Sequence, residues 1–404
     1  MSDENAQRPY KLAVVATHPI QYQSPWFRAM AADPRLDLHV FFGHNATATD
    51  QAGAGFGVEF KWDVPLLEGY PYAFLRNVAR RPSVATFSGI DTPEVAEVIR
   101  RGGYDAVLVN GWNHKSSWQA IVACWRSKTK VMVRGDSHLR TARSSLKKVL
   151  KALPYRAFIP RFDACLAVGI WSREYYIHYG ARPDRVFVVP HVVNESRWCA
   201  EAARLQPLRL ELRRQWGLGE RSTVYVFAGK LIAKKRVRDF ICALQRAANS
   251  GAAIEGLVVG DGPLRSECET LVSSGRVPVR FTGFLNQSEI AKAYIAADML
   301  VLPSDGGETW GLVVNEAMCC GRPCIVSDQV GCGPDLVQSG QTGAVFPLGD
   351  VDALAKLMVA FAGDEKLLQQ MGIRCRQLMH GCSVQTAVDG VVAALAALQT
   401  GAQP

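Results

Sequence analysis

The chain reads as an α/β protein made of two doubly wound, parallel-sheet domains facing a central cleft. Three observations predict this. Short, nearly continuous apolar runs alternate with helical patterns, as expected of parallel strands covered on both faces. The alternation occurs twice, with a break around 191–222. A length of 404 residues also exceeds what one ordinary core accommodates.

The first nine residues are polar and are expected to be disordered. No basic segment followed by a long apolar one marks a secretory signal. No apolar run approaches the roughly 18–20 residues of a spanning helix. In the first half the strand candidates are 11–17, 36–42, 104–110, 130–135, 163–169 and 185–190. In the second half they are 223–229, 253–260, 277–283, 298–304 and 322–328, with GAVF at 343–346. Ser24 before Pro25 predicts a helix start, as does Ser288. After 346 three helices are predicted in succession, with Asp350 or Asp352 and Ser383 as caps.

Composition narrows the class. The sequence has 46 basic and 37 acidic residues, a formal charge of +9, with 48% hydrophobic residues. Such an excess fits an anionic ligand, an anionic membrane or nucleic acid. No nucleic-acid-binding motif is present, so nucleic acid is not an expected partner. Eleven cysteines lack CxxC pairs, and Cys319, Cys320 and Cys324 lie in an apolar passage. Buried free thiols in a reducing compartment are the expectation, with no metal site.

In open α/β sheets ligands gather beyond the carboxyl ends of strands. The loop after the first strand carries His18, Gln21 and Tyr22, and it lacks the GxGxxG of a dinucleotide site. Later strand ends bring Asn113 and His114, then Arg134, Asp136 and His138. Together these suggest a wall for a hydroxyl-rich or charged substrate, although each residue alone also fits a solvated loop. From Arg134 to Arg161 there are eight basic residues and one acid. Leu146, Val149, Leu150 and Leu153 share one helical face, with Lys147, Lys148 and Lys151 elsewhere. Segment 143–156 is therefore either a domain helix with its leucines turned inward or a basic amphipathic helix lying on an anionic membrane.

In the second half, Gly229 and Lys230 follow a strand and Lys235 lies one short loop on, a pattern suited to phosphate. A glycine turn holds Gly260 and Gly262. Then comes DGGETWGLVVNEAM, residues 305–318, with Glu308 before a predicted helix and Glu316 inside it. Eight residues of helical rise span about 12 Å. That exceeds even the roughly 6.5–9.5 Å between the carboxylates of inverting glycosidases. The two glutamates therefore cannot share one proton transfer. They fit opposite ends of an elongated ligand whose anionic centre lies at the helix start.

These residues carry a resemblance. The Glu308-x7-Glu316 pair, the Lys230 and Lys235 spacing, the GDGP turn at 260–263 and the run GRPCIVSDQVGCGPDLV resemble the retaining glycosyltransferases of family 4. The likeness covers about 220–350, and VVPHVVNESRW resembles the family's crossover between domains. It implies the GT-B fold, with an N-terminal acceptor domain at 10–195 and a C-terminal nucleotide-sugar domain at 196–380. The final segment, 381–404, would cross back to the first domain. It implies that Lys230 and Lys235 bind the diphosphate, that Glu308 meets the sugar and that Glu316 binds the ribose. Gly229, Gly262, Phe284, Leu285, Thr309, Trp310, Gly311 and Leu312 would complete the donor site, with Phe284 and Leu285 at the base. His138 or His18 would be the N-domain catalytic residue, with Asp136 an alternative for that place. The donor would be a UDP- or GDP-sugar, without a cofactor or metal. The acceptor would be a saccharide or lipid-linked sugar in surface polysaccharide or glycolipid synthesis. The protein would be cytoplasmic, or peripheral on the inner face of the membrane. An epimerase or phosphorylase of the same fold, or a non-catalytic nucleotide-sugar binder, remains open at this point.

Overall fold

The computed structural model describes residues 8–47, 58–141 and 145–399, and for 145–149 the backbone alone. Residues 1–7, most of the polar N-terminus, lie outside the described residues, as do Arg143 and the side chains of Leu146, Lys147, Lys148 and Val149.

Among the described residues the first domain holds seven strands. They are β1 (Tyr10–Ala16), β2 (Leu36–Phe42), β3 (Tyr72–Phe74), β4 (Ala106–Asn110), β5 (Lys130–Gly135), β6 (Ala164–Ala167) and β7 (Val186–Val188). The second holds six: β8 (Thr223–Ala228), β9 (Ile254–Val259), β10 (Val279–Gly283), β11 (Met299–Leu302), β12 (Cys324–Ser327) and β13 (Gly343–Phe346). Every strand pairing is parallel. The sheet orders are β3-β2-β1-β4-β5-β6-β7 and β10-β9-β8-β11-β12-β13. Each order reverses direction once, between β1 and β4 and between β8 and β11. At such a switch point the loops diverge to opposite faces and leave a crevice at the strand ends.

Apolar clusters flank each sheet on both faces, which is why strands such as β4 and β11 are apolar throughout. Strand β3 escaped the sequence reading because it has three residues, all exposed at a sheet edge. The 191–222 break contains two helices, Glu195–Leu205 and Arg209–Gln215, and not only linker. Three helices close the chain: Val351–Phe361, Glu365–Gly381 and Val384–Gln399. Asp350 caps the first by accepting from Ala353 N at 2.8 Å. Ser383 caps the last, accepting from Thr386 N at 3.1 Å. That last helix packs Ala387, Val388 and Val391 into the N-terminal core beside Trp26 and Met30.

Several expectations need correction. Ser24 is not a cap: its hydroxyl donates to Ile20 O and Leu66 O, and Gln23 holds the cap position. Ser288 is held by Asp63 of the other domain, and Glu289 precedes that helix. The stretch Glu365–Gln399, taken as one, is long and apolar enough to cross a membrane. A third of its most apolar window is buried, where the last helix packs into the first domain. In the helix Ser145–Phe158, Leu150 and Leu153 do not turn inward; they are 63% and 75% exposed. Lys151 instead folds over the rings of Tyr155 and Tyr175, 4.4 and 4.6 Å from their centroids.

Candidate functional site

The C-terminal domain builds its half of the cleft at the β8/β11 switch point. Gly229 and Gly260 end β8 and β9 back to back; a Cβ on Gly260 would lie 2.0 Å from Gly229 O. Only glycine at Gly260, whose φ is +127°, permits this approach. It leaves Lys230 at the mouth of β8. Burial lowers the Lys230 pKa to about 8, and the Lys234 and Lys235 ammoniums push the same way. Lys235 leaves the short turn Ala233–Lys235 and pairs with Glu308, each side chain 12% exposed. Burial alone would raise the Glu308 pKa. The Lys235 ammonium outweighs it, and the carboxyl stays below its ordinary value.

After β11, Asp305 accepts from Gly307 N at 2.8 Å and folds the loop tightly. Gly311, at φ +103°, then turns the chain into the helix Leu312–Cys319. The first N–H groups of a helix precede its own hydrogen-bond ladder and carry the positive end of its dipole. Here Leu312 and Val313 bring them to the cavity wall. Glu316 sits one turn in. Burial raises its pKa to about 6, partly offset by Tyr294 Oη donating at 2.7 Å and Gln287 Nε2 at 3.3 Å. The two glutamates have no partner in common.

The N-terminal domain supplies the facing wall. Thr309 Oγ1 donates to Asp136 Oδ2 at 2.5 Å across the cleft. Tyr22 meets the His191 ring edge-on with centroids 5.6 Å apart, and His191 lies 5.8 Å from Trp310. Burial, reinforced by the Arg134 charge, drives the His191 pKa well down, so its imidazole is neutral. The loop around 60–63 crosses over. Phe60 packs on Phe284 at 4.4 Å, and Asn286 Nδ2 donates to Lys61 O at 2.7 Å.

The cavity between these walls has a volume of about 300 Å³. Of the residues singled out in sequence, Gly229, Lys230, Lys235, Phe284, Leu285, Glu308, Thr309, Trp310, Gly311, Leu312 and Glu316 line it, as do Gln21, Tyr22 and Asp136. Gly262 lies behind it, against the Leu231 backbone. His18 bonds Thr17 Oγ1, His114 faces Thr86 O, and Asn113 is exposed; none of the three reaches the cavity. His138 is buried beside Trp171 with Nδ1 accepting from Arg140 N, also outside it. The sequence reading missed His191, Trp62 and Gln287 as lining residues. For His191 there was a signal: it ends the Pro-His passage leaving the last strand of the first domain.

Two facing Rossmann-like domains, with a lysine pair and a helix start converging between them, define a GT-B protein. This chain belongs to the glycosyltransferases: residues 37–197 match the family "Glycosyltransferase Family 4" and residues 222–364 match "Glycosyl transferases group 1". It is 31% identical to an N-acetyl-alpha-D-glucosaminyl L-malate synthase of Bacillus anthracis, over 42% of this chain and 44% of that protein. The chain thus spans less than half the length of that curated relative. A D-inositol 3-phosphate glycosyltransferase of Nocardia farcinica is 26% identical over 96% of this chain and 89% of its own. Among solved structures, Anabaena HepE in complex with UDP and glucose superposes with a TM-score of 0.68 at 16% identity. That match covers 96% of this chain and 99% of the other.

Proposed function

We propose that the protein is a retaining glycosyltransferase that moves a sugar from a UDP- or GDP-sugar to a saccharide or lipid-linked acceptor, in surface polysaccharide or glycolipid synthesis. One observation carries this reading: Lys230, Lys235, Glu308 and the start of the 312–319 helix converge in one cleft. The chemistry follows from charge. Breaking a glycosyl–phosphate bond leaves negative charge on the diphosphate. Two ammoniums and a helix start placed there stabilise that charge as it develops. Lys235, paired with Glu308 in the free protein, exchanges that partner for phosphate and leaves Glu308 facing the sugar. Glu316 accepts from the ribose hydroxyls, and Phe284 and Leu285 cover the base. The acceptor enters over Gln21, Tyr22 and Asp136. The likeness to retaining glycosyltransferases supports attack on the same face, with the departing phosphate taking the proton. The lysines supply the positive charge, so the reading needs neither metal nor cofactor. HepE, whose structure holds UDP and glucose, favours UDP over GDP.

A thermal-shift panel of UDP, GDP and ADP tests the donor site. At 100 times its Kd a bound nucleotide adds about 2.7 kcal/mol of stability; no shift with any of them rejects the site. Removing Lys235 takes away one stabiliser of the developing charge, so Lys235→Ala should lower transfer of labelled sugar by about 100-fold or more. Unchanged transfer would overturn the assignment. Label appearing in no added acceptor would favour an epimerase.

A second reading concerns location, and exposed Leu150 and Leu153 favour it. We propose that the Ser145–Phe158 helix rests on the inner face of the cell membrane, leucines in the lipid and Arg156 at the headgroups. All eleven cysteines are free thiols, in keeping with the cytoplasm. Flotation with anionic vesicles should be lost in a Leu150→Gln/Leu153→Gln protein. Equal flotation of both proteins rejects the contact.

A further inference from the structure

The rear of the C-terminal domain holds a second cavity, of about 630 Å³. It is walled by the helices Glu195–Leu205, Arg209–Gln215 and Glu365–Gly381 and by the chain leaving the 312–319 helix. It shares no lining residue with the donor cavity.

Its charge is unbalanced. Five arginines line it against three carboxylates. Asp298 is already engaged by Arg209 and, at 2.6 Å, by Arg213. The rest of the Arg213 guanidinium donates to the carbonyls of Ala296, Glu220 and Ser222. The other three arginines are underused. Arg322 is 8% exposed; it donates to Gln206 Oε1 at 2.9 Å and Ile295 O at 3.3 Å, while its buried Nε has no partner among the described residues. Arg376 lies against Gly321, next in the chain to Arg322. Arg376 and Arg221 are exposed, and neither makes a hydrogen bond or ion pair with a described residue. A buried donor without an acceptor costs about 1–3 kcal/mol, and neighbouring guanidiniums repel. An anion in the cavity would relieve that repulsion.

We propose that this cavity binds a small phosphate-bearing metabolite, its phosphate held by Arg322 and Arg376 with Arg221 at the mouth, and its apolar part against Leu210 and Leu368. Arginine suits this task because its planar fork meets two phosphate oxygens at once. The volume lies within the roughly 300–1,000 Å³ usual for small-molecule sites. The site also touches two elements that reach the donor cavity. The 312–319 helix begins at the donor cavity with Leu312 and Val313, carries Glu316 one turn in, and delivers Cys320 and Arg322 to the rear cavity beyond its other end. The 195–205 helix lends Ala202 to the rear cavity, while its Arg197 donates to Gln287 O, the residue that holds Glu316. Any effect of occupancy at one cavity on affinity at the other would be reciprocal.

The test titrates inorganic pyrophosphate calorimetrically into the protein, with and without excess UDP. With UDP present, one saturable pyrophosphate site remains, with a Kd below about 1 mM. Arg221→Gln/Arg376→Gln weakens that site about tenfold or more and leaves the UDP Kd and the melting temperature unchanged, since both side chains are exposed. Arg221→Lys/Arg376→Lys restores part of the binding. No saturable site beyond the one UDP competes for, or equal binding in the glutamine protein, overturns the proposal. If UDP fails to bind at all, the donor assignment falls, and the loss of pyrophosphate binding in the glutamine protein still decides the rear site.

Discussion

Lys230 is the residue whose behaviour is most sharply set by its surroundings. Burial, with two ammoniums beside it, holds its pKa at about 8 against an ordinary 10.5. In the free protein it loses its proton as pH rises through 8. A bound diphosphate favours the charged form and draws the proton back. UDP binding therefore takes up a proton above pH 8 and weakens as pH rises, by up to about tenfold per unit. Below pH 8 the lysine is already charged and this dependence vanishes. An arginine stays charged throughout, so Lys230→Arg should flatten the profile. Calorimetric UDP titrations from pH 7 to 9 decide it; parallel slopes in the two proteins would remove Lys230 from the diphosphate site. The lysine spacing and the glutamate pair were legible in sequence because each lies just beyond a strand or at a helix start. The partner that each residue takes was not. Glu308 is held by an ammonium and Glu316 by a phenol and an amide, and this difference separates a carboxyl pushed down from one pushed up to about 6.

At the scale of elements, the strands were readable because burial on both faces demands unbroken apolar runs. β2, β5 and β13 coincide with the segments expected. Capping was less readable. Ser24 and Ser288 have the side chain of a cap, yet each found a stronger partner across the fold, which no local pattern encodes. Gly311 is the element boundary on which the proposed donor site turns. Its φ of +103° is in the left-handed region, and a Cβ there would lie 2.8 Å from Leu302 Cδ2. Gly311→Ala should cost about 1–3 kcal/mol of stability through backbone strain. It should also weaken UDP binding, because the helix start shifts. Gly340→Ala is the control: its φ is +72° with open space for a Cβ. It should lower the melting temperature while leaving the UDP Kd alone. If both substitutions leave UDP binding intact, the helix start does not hold the diphosphate.

At the scale of the whole molecule, the double alternation announced two domains, but the way they meet left no sequence signal. The ties join residues far apart in the chain: Asn286 to Lys61 at a separation of 225 residues, Thr309 to Asp136 at 173 and Asp335 to Ile170 at 165. Periodicity reports a residue's own face and not its partner across a cleft. For that reason His191 reads as crossover, and nothing in the sequence marks Trp62 as a lining residue. Asp335 makes this interface testable. It accepts from Ile170 N at 3.1 Å with one oxygen and 3.2 Å with the other. Burial between the domains raises its pKa from 3.8 to about 6, partly offset by that bond. Separating the domains returns the carboxyl to water and to its ordinary value. Closing the cleft therefore takes up a proton between those two values, so closure is favoured below about pH 6 and penalised above it. The ligand-free protein should then have a smaller radius of gyration by X-ray scattering at pH 5 than at pH 7.5. Asp335→Asn keeps an acceptor for Ile170 N–H and removes the charge, so it should stay compact at both values. If the wild type and Asp335→Asn expand alike, Asp335 does not govern closure, and the pH response belongs to another tie between the domains.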